Sequence, residues 1–196
     1  MIYEFLWAVT QLGSSHVLIP AIFGVAIVLW RVGEDRAAGA FLLGAAVCLA
    51  SIVVSKLLLL TIGGVGPVSS PSGHTAISTF FYGCVALLCL WIGRGWPSKI
   101  CAAAMAPLVL TIAVSRFIVA GHSRSETLVG LLFGLVALEL FRRAGGIGAR
   151  SLAAWAAPVA AGALGAAAMA LVMNIGFIEE VDFIAIANWL RIRLAA

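Results

Sequence analysis

Long apolar stretches separated by short polar breaks organise this chain. Six runs approach the about 17 to 25 residues that cross a bilayer as a helix: residues 15–30, 37–60, 75–92, 100–120, 127–141 and 152–175. The breaks read RVGEDR, TIGGVGPVSSPSGH, GRGWPSK, GHSRSE and RRAGGIGAR, and each brings the Gly, Pro, Ser or charge that stops a helix. The pattern predicts an all-α polytopic membrane bundle of about six transmembrane helices, in which 127–141 is the shortest run. Residues 2–12 and 183–194 are too short or too polar to span. Ile2, Phe5, Leu6 and Val9 share one face of the first, and Trp189 is mixed with Arg191 and Arg193 in the second, so interfacial helices are expected at both termini.

Composition fixes the solvent of these helices. Of 196 residues, 63% are hydrophobic and 10% charged, with mean hydropathy +1.15, against roughly a quarter charged in an average soluble domain. That excludes an ordinary soluble enzyme. The formal net charge is +4, but Lys and Arg are scattered in ones and twos, which argues against nucleic acid as a partner. Cys48, Cys84, Cys89 and Cys101 lie inside apolar runs without metal-ligand spacing, so neither a disulfide nor a zinc site is expected. The first basic residue is Arg31 and residue 4 is Glu, so the N-terminus does not read as a cleaved signal peptide. With no internal repeat and no second domain, residues 1–196 read as one integral-membrane domain.

Cytoplasmic loops collect Lys and Arg. The odd-numbered breaks hold Arg31, Arg36, Arg94, Lys99, Arg142, Arg143 and Arg150, seven of the twelve basic residues. They are expected in the cytoplasm, with the even breaks and both termini outside. The polar residues that a membrane helix does not need then gather on the outer side: Lys56, Ser72, Gly73, His74, Ser115, Arg116, His122, Ser123, Arg124, Ser125 and Glu126. All three histidines map to that face. An ionisable residue held near a membrane helix end is read as functional by default.

Such a set suits phosphoryl transfer, because phosphate oxygens carry the charge and a site needs cations and helix-start N–H groups aimed at one point. The PSGHT turn offers such a helix start. Arg116 can grip two oxygens at once and Lys56 can add a point charge. Two histidines can divide the labour, one attacking phosphorus and the other protonating the leaving oxygen. Glu126, four residues after His122, stands one helical turn away, where a carboxylate can orient the attacking imidazole.

At these residues the chain resembles the type-2 phosphatidic acid phosphatase superfamily, whose pattern is K-x6-R-P, then P-S-G-H, then S-R-x5-H-x3-D. Pro71-Ser72-Gly73-His74 matches the second motif in full. Ser115-Arg116, His122 and Glu126 match the third in spacing, with Glu in place of Asp. Of the first motif Lys56 remains, because Gly63 and Gly64 occupy the Arg-Pro positions. The resemblance spans residues 56–126 in motifs. It implies a six-helix membrane phosphatase that needs no metal or other cofactor and works through a phosphohistidine. His122 corresponds to the nucleophile, His74 to the general acid and Glu126 to the orienting carboxylate. Lys56, Ser72, Gly73 and Arg116 correspond to the phosphate-binding residues, with Ser115 and Arg124 as further candidates. Cell-membrane placement, with the catalytic loops facing the periplasm or exterior, follows from the charge count.

Competing readings stand beside these. Ser123-Arg124-Ser125-Glu126 is also a capping box, Ser-x-x-Glu, which would make Glu126 a helix-start residue without a catalytic part. His16 is expected to cap or anchor the first run, and Glu139 with Arg143 forms an i,i+4 pair. Arg124, two residues from both His122 and Glu126, is expected to point toward lipid headgroups instead of the site. A transporter would place polar residues near the bilayer midplane in paired halves. A degenerate phospholipid-binding member without turnover, and a transferase moving the phosphoryl group to a second lipid, both share the motif set. Phosphatidate, phosphatidylglycerophosphate, undecaprenyl pyrophosphate and lipid A phosphates all present the required chemistry.

Overall fold

A computed structural model describes residues 1–63, 68, 70–93, 95–146 and 180–194. Among these, all regular elements longer than a single bridge are helices: α1 (Ile2–Gln11), α2 (Ser15–Arg31), α3 (Asp35–Ile62), α4 (Gly73–Ile92), α5 (Trp96–Ile118), α6 (Arg124–Ala144) and α7 (Glu180–Leu194). The apolar runs at 15–30, 37–60, 75–92, 100–120 and 127–141 fall on α2 to α6. The sixth run, 152–175, lies outside the described residues.

Among the described residues, three helices are long and apolar enough to cross a membrane, namely α3, α4 and α5, with mean hydropathy of 2.4, 1.9 and 1.9 over their best windows. The helix α2 has only 17 residues, but α1 and α2, bent by 41° at their junction, together qualify as a fourth, broken span or a re-entrant pair. The 21-residue α6 falls short for a different reason. Its two ends carry Arg124, Glu126, Glu139, Arg142 and Arg143, so its apolar stretch is confined to the middle. The expected figure of about six spans is therefore represented here by three helices, or four with the bent pair.

Packing centres on α4, which shares its most extensive interfaces with α6 and α5, while α3 also packs on α6 and α2. An aromatic cluster holds the half of the bundle away from the histidines. Phe41 stacks on Phe80 with centroids 5.4 Å apart, and Phe141 meets Phe41 at 5.7 Å and Trp91 at 5.6 Å. Phe41, Phe80 and Phe141 are fully buried. Such contacts contribute about 0.5–1.5 kcal/mol each beyond the area they bury. Trp7, Trp30, Trp96 and Trp189 are exposed, as an interfacial belt requires. Between α4 and α6, backbones approach closely. A Cβ added at Gly130 would lie 2.4 Å from the Ser72 carbonyl oxygen, and one at Gly134 would lie 2.5 Å from that of Ala76. Small residues one turn apart thus bring the start of α6 onto the start of α4, as small-xxx-small faces do in membrane bundles.

Two arginines cap helix ends from a distance. Arg36 Nε donates to the Ala144 carbonyl of α6 at 2.8 Å, and Arg191 donates to the Leu60 and Thr61 carbonyls of α3 at 2.6 and 3.2 Å. The C-terminal helix expected at the interface is thus docked along α3, with Ala187 buried. Glu139 accepts from Arg143 as expected and from Arg142 as well, both at 2.6 Å. The four cysteines are free, yet Cys89 and Cys101 face each other across α4 and α5 with sulfurs 3.0 Å apart.

Candidate active site

The segment Pro71-Ser72-Gly73-His74 turns from loop into helix at Ser72. This residue has extended φ −70° and ψ 106° and no exposed surface, and it caps α4. Its Oγ accepts from the Thr75 N–H at 3.4 Å and from the Thr75 hydroxyl at 3.0 Å, while its carbonyl accepts from the Ala76 N–H. The Gly73 and His74 amides precede the first intrahelical bond, so they carry the positive end of the helix.

The α5–α6 connection positions the second half. After Ile118 the chain must reverse within five residues, and Gly121 does so with φ +68°, in the left-handed region that favours glycine. The turn returns the His122 N–H to the Arg116 carbonyl at 3.3 Å. This local fold is what the x5 spacing between Arg116 and His122 encodes. Ser123 then caps α6, with Glu126 at the third helical position completing a capping box.

Glu126 therefore plays both parts that its spacing allowed. Its Oε2 accepts from the Ser123 N–H at 2.9 Å and lies 3.2 Å from His122 Nδ1. Oε1 accepts from the Ser70 N–H at 2.8 Å, and the Glu126 backbone carbonyl accepts from the Ser72 N–H at 3.1 Å. One buried carboxylate thus starts α6, orients the imidazole and stitches the loop ahead of α4 to α6. Both His122 and Glu126 are buried. With Nδ1–H donated to the carboxylate, Nε2 is the nitrogen with a lone pair for chemistry.

The remaining candidates separate into two groups. Lys56 is buried on α3, and its ammonium lies 5.6 Å from the centroid of Phe183 on α7. Arg116 reaches Thr10 on α1, with Nη1 3.5 Å from the hydroxyl. Arg116 and His122 share the polar end of the bundle with His74, the second residue of α4, where the Ser72 N–H meets the Glu126 carbonyl. Ser115 stands apart: its buried hydroxyl donates to Ile112 of its own helix at 2.6 Å. Arg124 is exposed, with its guanidinium 5.4 Å from the centre of the Phe117 ring, directed outward as its spacing predicted. Among the described residues, no group of three or more His, Cys, Asp or Glu side chains could hold a metal ion.

Sequence reasoning missed Thr10, Ser70 and Phe183 and placed His16 outside the site as an anchor; the structure sets Gly13, three residues before His16, near the His74 carbonyl. Only the confinement of all three histidines to one face pointed to it.

Because all three donors to Glu126 approach two oxygens, Glu126→Gln cannot keep every contact, since one amide N–H₂ must face a donor. Glu126→Gln is expected to lower kcat by well over tenfold and also the melting temperature by a few degrees, the cost of one disrupted buried hydrogen bond. Enzyme kinetics alongside thermal unfolding checks both; full activity would leave the carboxylate a capping role only.

Among the described residues, apolar helices long enough to span a bilayer and histidines at one polar end mark a membrane protein with an ionisable site. Residues 40–146 match the family model of the PAP2 superfamily. The match covers more than half of the chain, and the protein belongs to that superfamily, the type-2 phosphatidic acid phosphatases, which points to a phosphatase-type activity. No curated protein and no solved structure matches the chain significantly.

Proposed function

We propose that this protein is a metal-independent membrane phosphatase that removes a phosphate from a lipid phosphate or lipid pyrophosphate, with its site on the extracytoplasmic face of the cell membrane. The observation that carries this reading is the His122–Glu126 contact of 3.2 Å beside His74 and the cap of α4. His122 Nε2 attacks phosphorus as the bond to the lipid oxygen breaks. His74, protonated once the anionic phosphate is seated beside it, delivers its proton to that oxygen, releasing the lipid alcohol, or the lipid monophosphate where the substrate is a pyrophosphate. A phosphoryl group is then on His122. His74, now neutral, takes a proton from water, whose oxygen attacks the phosphorus; the His122–phosphorus bond breaks and inorganic phosphate leaves. Lys56, Arg116 and the first amides of α4 balance the charge on the equatorial oxygens. The seven basic residues of the odd breaks set the orientation that puts this end outside.

Among the described residues, the carboxylate brought to this cluster is Glu126, whose oxygens are engaged by Ser70, Ser123 and His122, a set unlike the several hard oxygen ligands that magnesium or calcium needs. Phosphate release from phosphatidate in detergent micelles is expected to persist in excess chelator and to be inhibited by orthovanadate, which mimics the five-coordinate phosphoryl group. Activity lost in chelator and regained with added metal would overturn the mechanism.

A further inference from the structure

The break between α1 and α2 falls at Leu12, Gly13 and Ser14, and the surrounding contacts explain why the chain bends there. A Cβ at Gly13 would lie 2.7 Å from Ile112 Cγ2 of α5 and 3.5 Å from the His74 carbonyl oxygen of α4. The elbow is thus pressed into the corner between the helices that bear Arg116 and His74. The Tyr82 hydroxyl holds it there by donating to the Leu12 carbonyl at 2.9 Å. Thr10, just before the elbow, is fully buried and reaches Arg116; Ser14, just after it, is buried and starts α2. His16 is the second residue of α2. It is half-buried and follows Gly13 by three residues, so it stands next to the elbow.

We propose that the α1–α2 elbow is a wall of the phosphate site and that His16 donates a hydrogen bond to a phosphate oxygen, supplying the contact that Gly63 cannot make in place of an arginine. The inference rests on the phosphatase reading for its substrate, but it concerns a segment outside residues 40–146, which match the family. The approach of Gly13, three residues before His16, to the His74 carbonyl supports it. So does the count of charges: among the described residues, Lys56 and Arg116 are the lysine and arginine assigned to a dianionic phosphate group, and a donor from the elbow adds to them and to the α4 amides. Thr10 contributes as a positioning residue that holds the Arg116 side chain from the far side.

The test uses the full chain in detergent and two readouts, phosphate release from phosphatidate and binding of inorganic orthovanadate by titration calorimetry. His16→Ala is expected to raise KM and weaken vanadate binding by roughly tenfold or more, as for loss of a hydrogen bond to a charged group. His16→Gln, which retains an N–H donor, is expected to recover most of both. Unchanged KM and vanadate affinity in His16→Ala would overturn the inference. So would equal losses in the two variants together with a lower melting temperature, which would mean that His16 only packs. A wild-type protein that binds vanadate but releases no phosphate from lipid phosphates would overturn the phosphatase reading, and the vanadate affinities of the variants would still decide the role of His16. Failure of the wild type to bind vanadate at all would overturn both.

Discussion

His122→Ala is expected to abolish turnover of every lipid phosphate, and a better leaving group is not expected to rescue it. Without the imidazole there is no nitrogen to form the phosphoryl intermediate, whatever departs from phosphorus. His74→Ala should be as inactive toward a lipid phosphate, because the departing alkoxide is then unprotonated. With an aryl phosphate whose leaving group needs no proton, His74→Ala should recover substantially in the first step. The structure sharpens this contrast. Glu126 touches His122, whereas His74 is the second residue of α4, with its carbonyl near Gly13 of the α1–α2 elbow, so the two histidines occupy chemically different places. Equal recovery of both variants with the aryl substrate would reverse or remove the division of roles.

Arg116→Ala is expected to lower kcat/KM by roughly two orders of magnitude or more, a loss of about 3 kcal/mol of transition-state stabilisation. Arg116 occupies the last turn of α5, where its carbonyl receives the His122 N–H and its guanidinium extends toward Thr10. Removing the side chain deletes a fork of donors while the backbone that holds His122 stays in place. Arg116→Lys should recover little, since an ammonium cannot make the paired contacts. Arg124→Ala provides the control: its guanidinium lies over Phe117 on the outer surface, and its loss should be mild. Steady-state kinetics on the three variants, with melting temperatures to establish folding, checks the assignment. Damage from Arg124→Ala equal to that from Arg116→Ala would place Arg124 in the phosphate site.

The parts of the site that could be read along the chain are those built by local geometry. Ser72 starting α4 and Glu126 standing one turn from His122 are short-range consequences of residue type, and each took the form its spacing implied; the left-handed turn at Gly121 is equally local but was not singled out. The competition between a capping box and an orienting carboxylate had no winner because a carboxylate has two oxygens, and Glu126 serves Ser70, Ser123 and His122 together. What sequence could not show depends on distant contacts. Nothing in the spacing of Thr10 or His16 reveals that the elbow meets Arg116 and His74, and Ser70 contributes a backbone N–H that any residue could offer. Cys89 and Cys101, apart in the chain, meet only because α4 and α5 pack side by side. The spans differ from the apolar runs for a related cause: hydropathy along α6 is cut short by the charged residues that anchor both its ends, α2 reaches spanning length only when joined to α1, and the run at 152–175 lies outside the described residues.

The central claim is that His122 carries the phosphoryl group between two half-reactions. Its most direct test is to mix His74→Ala with a radiolabelled aryl phosphate, quench rapidly in alkali and map the label by mass spectrometry. In this variant the first step proceeds without a proton donor while attack by water lacks its base, so the intermediate should accumulate. The account predicts an acid-labile, alkali-stable phosphate on His122 that disappears in His74→Ala/His122→Ala. Turnover with no label on the protein, or label on any residue other than His122, would contradict it.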